Sequence, residues 1–169
     1  KYLDAYDLTR ASRETELLIS DISLWYLRLS RKRQDADFAS TLRNILKNTA
    51  VLVAPFMPFV AEAVFNEVKD DIDPISVHLA DWPKPGEIDN AVLAAMKELR
   101  ELVEEGHRWR AEAGIKVRQP LAALGYKFIE NAKLGIGHEA ILRQELNVLK
   151  IDNNLIRKSS GARIVLDKR

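Results

Sequence analysis

Leu8, Ala11, Thr15, Leu18, Ile22, Trp25 and Leu29 stand three and four residues apart, the spacing that places side chains on one face of an α-helix. A chain that opens this way must bury a long helical stripe against a neighbour, so residues 8–33 predict one long helix. Phe38, Leu42, Ile45, Thr49 and Leu52 repeat the pattern. Asp35 and Asp37 ahead of them are candidate N-caps, and Pro55 stops that helix because it lacks the N–H a continuing turn needs. Pro58 suits the first turn of a third helix, continued by Val60, Val64 and Val68. A fourth, from about Asp89 to Glu112, sets Val92, Met96, Leu99 and Val103 on one face. The stretch DIDPISVHLADWPKPGEID between the third and fourth is rich in Pro and Asp and predicts an ordered surface loop.

After Gly114 the texture changes. LAALGYKFI is rich in strand formers, HEAILRQELN is helical, and VLKID and ARIVLDK again suit short strands. The expected fold class is therefore mainly α. A bundle of about four helices over residues 1–113 precedes a small mixed α/β subdomain, β-α-β-β in order, over residues 114–169. No internal repeat and no low-complexity segment interrupts this plan.

With 169 residues, 47% of them hydrophobic, the chain can bury a sizeable core, which argues against disorder. The absence of cysteine removes disulfides and thiolate metal sites and fits a reducing compartment. His78, His107 and His138 are too far apart in sequence for a helical ligand pair, so no metal site is expected. Gly135 and Gly137 in LGIGHE lack the Lys of a phosphate-binding loop and predict a turn before a helix. Glu98, Glu101, Glu104 and Glu105, beside Arg100, predict a solvated outer face on the fourth helix. No catalytic constellation stands out. No run of about 18 apolar residues suggests a membrane span, and the first residues carry neither a signal-peptide pattern nor an initiator Met, which suggests a cut through a longer chain.

Two basic clusters remain. WYLRLSRKR carries Arg28, Arg31, Lys32 and Arg33 with no acidic residue, and HRWRAEAGIKVRQP carries Arg108, Arg110, Lys116 and Arg118 against Glu112. Cations in a last helical turn complement the macrodipole, which is reason enough for the first cluster taken alone. With a net charge of only +1, affinity for a polyanion must come from such clusters rather than from bulk charge. Two of them, at the ends of separate helices, can make one phosphate-facing surface if the bundle brings those ends together. Trp25 falls in the apolar stripe, whereas Tyr26 lies off it and can reach solvent.

The segments DISLWYLRLSRKR, LVAPFMPFVAEAVF, SVHLADWP, RAEAGIKVRQPL and QELNV, in that order, resemble the anticodon-binding region of class I aminoacyl-tRNA synthetases. The combination of SVHLADWP and GIKVRQPL is most similar to the isoleucyl enzymes. The resemblance spans about residues 6–151 and implies a cytoplasmic translation enzyme whose separate catalytic domain, using ATP and Mg, attaches isoleucine to its tRNA. Neither the HIGH-type nor the KMSKS-type motif of that domain occurs here, and editing also belongs elsewhere. This chain alone is therefore expected to be non-catalytic and to need no cofactor of its own.

Its expected partners are tRNA, isoleucine tRNA in particular, and the catalytic domain of the same parent chain. The expected tRNA contacts are Tyr26, Arg28, Arg31, Lys32, Arg33, Arg108, Lys116, Arg118 and Gln119, the charges on phosphates and Gln119 on a base or ribose. In the corner APFMPF, Phe56 and Phe59 are expected to fill the core, while Trp82 and Pro83 pack the long connection back on the bundle. Two departures from the family pattern stand out. Where the family commonly has an Asn before Trp-Tyr-x-Arg, this chain has Leu24, which removes an amide able to bond a base. The family's Phe-Trp extension of the basic stretch is also missing after Arg33. The alternatives are the same domain of a valyl or leucyl enzyme, or a helical protein-interaction module that meets an acidic partner.

Overall fold

The computed structural model describes residues 1–33, 35–127, 136–157 and 164–167. The fold is mainly α with a small three-stranded sheet, as expected, and divides into two compact units, Lys1–Gly86 and Glu87–Arg169. The change of texture in the sequence predicts a boundary near residue 113; the compact units divide some 25 residues earlier, which places the fourth helix with the sheet.

In the first unit, α1 (Leu8–Asp21) starts where Asp7 accepts a hydrogen bond from the Arg10 N–H at 3.0 Å. It runs into a π-helical segment, Ile22–Leu27, where the spacing predicts a single α-helix. A π turn adds a residue to the repeat and shifts the register of the helix beyond it. After buried Ile22, the next buried position is Ser30, not the Leu29 that uninterrupted spacing predicts.

α2 (Ala36–Val53) is capped by Asp35, whose carboxylate accepts from the Phe38 N–H at 2.8 Å. α3 (Pro58–Val68) has its proline in the first turn. Ala50, Val51 and Val53 of α2, Ala61 and Phe65 of α3, and Val77 form the core of this unit. Phe59 is not part of it. It is 90% exposed, because a residue two positions before Ala61 on a helix faces about 200° away from it. Phe56 is half-buried and shares a groove of about 510 Å³ with Tyr2, Ala11, Leu18, Leu52 and Trp82.

The connection after α3 is tied down by charge. Lys47 bridges Asp70 (3.2 Å) and Asp73 (2.7 Å), Arg43 reaches Asp70 at 2.8 Å, and Glu62 accepts from both Ser76 Oγ and the Val77 N–H at 2.9 Å. The Asp70 N–H, 2.7 Å from Asp73 Oδ2, is the largest cause holding the Asp73 carboxyl below its usual range, with Lys47 second, and the donors named above hold those of Asp70 and Glu62 low.

In the second unit, α4 (Asn90–Glu112) is capped by Asp89 and buries Ala95, Leu99, Leu102 and Val103. Val92 is half exposed. Glu98 is buried as well and Glu105 half-buried, so the expected solvated face holds for Glu101 and Glu104 but not for Glu98. β1 (Leu121–Tyr126) is central, parallel to β2 (Val148–Ile151) and antiparallel to β3 (Ile164–Asp167). α5 (Ile136–Glu145) connects β1 to β2, and a short helix, α6 (Asn154–Arg157), precedes β3. Gly137 lies inside α5, while Gly135 falls outside the described residues. Tyr126, buried and donating to Glu139 at 2.7 Å, ties α5 to β1, and burial together with that carboxylate pushes the phenol well up.

Candidate nucleic-acid interface

The first basic cluster follows the π-helical turn. Arg28 is exposed, but its Nε donates to the Leu24 carbonyl at 2.8 Å while its own backbone N–H turns to the Trp25 carbonyl. Its guanidinium lies 5.3 Å from the centre of the Trp25 ring, a cation–π distance. Arg28 therefore closes the irregular turn as well as carrying charge. Leu24 is 63% exposed in that turn, an apolar side chain on a solvated face.

Tyr26 is half-buried and stacks on Phe38 of α2, with ring centroids 6.0 Å apart and planes inclined at 25°. Its ring thus joins the two helices. Arg33 forms a two-pronged pair with Asp35, both bonds at 3.0 Å, which raises the guanidinium's pKa and lowers that of the carboxyl. Arg31 and Lys32 are exposed and, among the described residues, make no ion pair or side-chain hydrogen bond. They are the cations of this cluster with their charge turned wholly to solvent.

The second cluster is built on the end of α4. Gly114, at φ +67°, takes the left-handed conformation that a side chain would strain. The Ile115 N–H bonds back to the Arg110 carbonyl at 2.9 Å and the Gly114 N–H to Ala111 at 3.1 Å, the paired bonds of a Schellman stop. The chain then turns through residues 115–120, closed by a Gln119 N–H to Lys116 carbonyl bond of 2.9 Å, into β1. Lys116, Arg118 and Gln119 on this loop are exposed, as is Arg108 one turn earlier on α4, and none makes an ion pair or side-chain hydrogen bond among the described residues.

Arg110 is different. Its place in HRWRAEAGIKVRQP groups it with the surface cations, but it is 1% exposed. Its guanidinium donates to the carbonyls of Leu146, Asn147, Lys116 and Gln119. Burial lowers its pKa. A signal was available: Arg110 continues the buried line of Leu99, Val103 and Gly106 at spacings of four, three and four.

Of the nine expected contact residues, Arg31, Lys32 and Arg33 lie together in the first unit, beyond Tyr26 and Arg28, whose rings and bonds are engaged locally. Arg108, Lys116, Arg118 and Gln119 belong to the second unit. Among the described residues no group of three His, Asp or Glu side chains is placed to hold a metal ion, and no helix is long and apolar enough to cross a membrane.

Residues 1–124 match the family model described as the anticodon-binding domain of tRNA ligase. The chain is 36% identical over 160 residues to an isoleucine-tRNA ligase of Thermobifida fusca, a match covering 89% of this chain and 15% of that protein. Similar matches are to the isoleucine-tRNA ligases of Streptomyces coelicolor (38% over 128 residues; 71% of this chain, 12% of that protein) and Thermus thermophilus (34% over 170 residues; 88% and 16%). The chain thus spans less than one sixth of the length of these relatives. The matches favour neither the valyl or leucyl reading nor the interaction module.

Proposed function

Because the chain belongs to the anticodon-binding domain family of tRNA ligases, we propose that it binds the anticodon stem and loop of isoleucine tRNA for an isoleucine-tRNA ligase. The longer enzyme would attach isoleucine with ATP and Mg in a catalytic domain outside these residues, in the cytoplasm. The observation that carries the reading is the set of exposed cations with no ion-pair partner among the described residues: Arg31 and Lys32 on one unit, Arg108, Lys116 and Arg118 on the other. Unpaired, solvated cations release counterions from a phosphate backbone without first breaking a salt bridge.

In this division of labour Arg31, Lys32, Arg108, Lys116 and Arg118 hold phosphates. Gln119, with a donor and an acceptor on one amide, addresses a base or ribose. Arg28 and Arg33 contribute field while serving the local fold, and Tyr26 supports the cluster through Phe38. Leu24 offers no hydrogen bond, so that turn holds the backbone rather than reading a base.

The test is binding of isoleucine tRNA across a salt series by the chain and by its R31E/K32E variant. The expected result is weaker binding whose salt slope is shallower by roughly 1.4–1.8 in log–log terms, since each lost phosphate contact removes about 0.7–0.9. An unchanged slope with unchanged affinity would remove this cluster from the interface. Equal retention of heparin and tRNA would leave the reading of an acidic protein partner standing.

A further inference from the structure

We propose that Arg110 is a positioning residue for RNA binding. From inside the second unit it fixes the loop that presents Lys116, Arg118 and Gln119, and it touches no RNA itself. The proposal rests on the reading of that loop as an RNA contact.

Loops usually hold their backbone through water and local turns, and they move accordingly. This one is gripped from beneath. Arg110 Nη1 donates to the carbonyls of Lys116 and Gln119, each at 3.0 Å, which are the first and last residues of the turn carrying the exposed side chains. Nε and Nη2 of the same guanidinium are anchored on Leu146 and Asn147, at the end of α5. One rigid, planar group thus ties the loop to the turn before β2. Asn147 adds a second tie, its Nδ2 donating to the Val117 carbonyl at 3.1 Å, and its left-handed backbone (φ +47°) aims its own carbonyl at the Leu121 N–H, 3.0 Å away.

The choice of arginine follows from the number and direction of the acceptors. Four carbonyls on two segments require a fork of fixed donors. A lysine brings three donors on one freely turning nitrogen and cannot span both segments with the same geometry. With its carbonyls turned inward to Arg110, the loop leaves the side chains of Lys116, Arg118 and Gln119 outside. Fixing three such groups before binding lowers the ordering entropy that a loose loop would lose on meeting RNA.

The experiment is a double-mutant cycle on the full chain, with isoleucine tRNA as the probe. Affinity is measured for the parent chain, R110K, K116A/R118A and the combination, each with far-UV circular dichroism. K116A/R118A weakening the binding establishes the loop as a contact; if it does not, the underlying reading fails and the proposal with it. Given that loss, R110K should weaken binding by about tenfold in the parent background and by clearly less in K116A/R118A, because only Gln119 is then left on the loop for it to act through. An equal loss from R110K in both backgrounds, or no loss in the parent background, overturns the proposal while leaving the loop contact standing. Should R110K fail to fold, N147G serves in its place. It keeps the left-handed backbone without strain and removes only the Val117 tie, and the same non-additive loss is required of it.

Discussion

Asp35 serves two groups at once, the Phe38 N–H in the first turn of α2 and the guanidinium of Arg33. Both favour the ionised carboxyl, and its pKa lies below the usual value, with the Arg33 bond the larger cause. A depressed folded-state pKa stabilises the fold above the unfolded value of about 3.9, and that contribution disappears as pH falls through the folded pKa. Asp35→Asn separates charge from capping, since Asn caps about as well as Asp. The variant should melt at a lower temperature than the parent at neutral pH, and the difference should close below about pH 4; a difference that persists in acid would mean the carboxylate is not the source. Arg110 shows the limit of reading single residues from charge. Beside Arg108 it looks like one more surface cation, and only its place in the buried line of α4 marks it as interior.

At the scale of elements, what was legible was what is local. Asp35, Asp89 and Pro58 mark three helix starts because capping depends on a few adjacent residues, and all three stand where the structure begins those helices. The order of strand, helix, strand and strand after Gly114 was legible for the same reason. The π-helical turn at Ile22–Leu27 was not, since the three-and-four spacing runs across it unbroken and only packing selects the extra residue. Phe59 and Glu98 were misplaced because hydrophobicity and charge do not say which way a helix face turns. Packing between elements also sets the next prediction. A Cβ on Gly106 would stand 2.6 Å from both Leu146 δ-carbons, and Leu146 is fully buried, so it must shift against its neighbours. Gly106→Ala gains about 1 kcal/mol of helix propensity but incurs overpacking of about 1–3 kcal/mol. The expected outcome is a net loss of up to about 2 kcal/mol in denaturant unfolding, a sign opposite to that of a glycine-to-alanine change on an exposed helix face.

For the molecule as a whole, the candidate contacts are shared between two units, each with its own buried core. The sequence could show two cationic clusters about 80 residues apart, but not whether one RNA meets both, because that depends on long-range placement rather than on any local pattern. Binding thermodynamics can decide it. If one tRNA spans both clusters, every neutralised phosphate adds to a single salt slope. Neutralising Arg31 and Lys32 should then lower the slope by roughly 1.4–1.8, neutralising Lys116 and Arg118 by a similar amount, and doing both by about the sum, at one tRNA per chain throughout. If each cluster bound its own RNA, the parent chain would take up two. Removing one cluster would then abolish one binding event and leave the other with its slope intact. Isothermal titration of the parent chain and the three variants measures stoichiometry and affinity together. One-to-one binding with additive slopes is the outcome that a domain gripping a single anticodon stem requires.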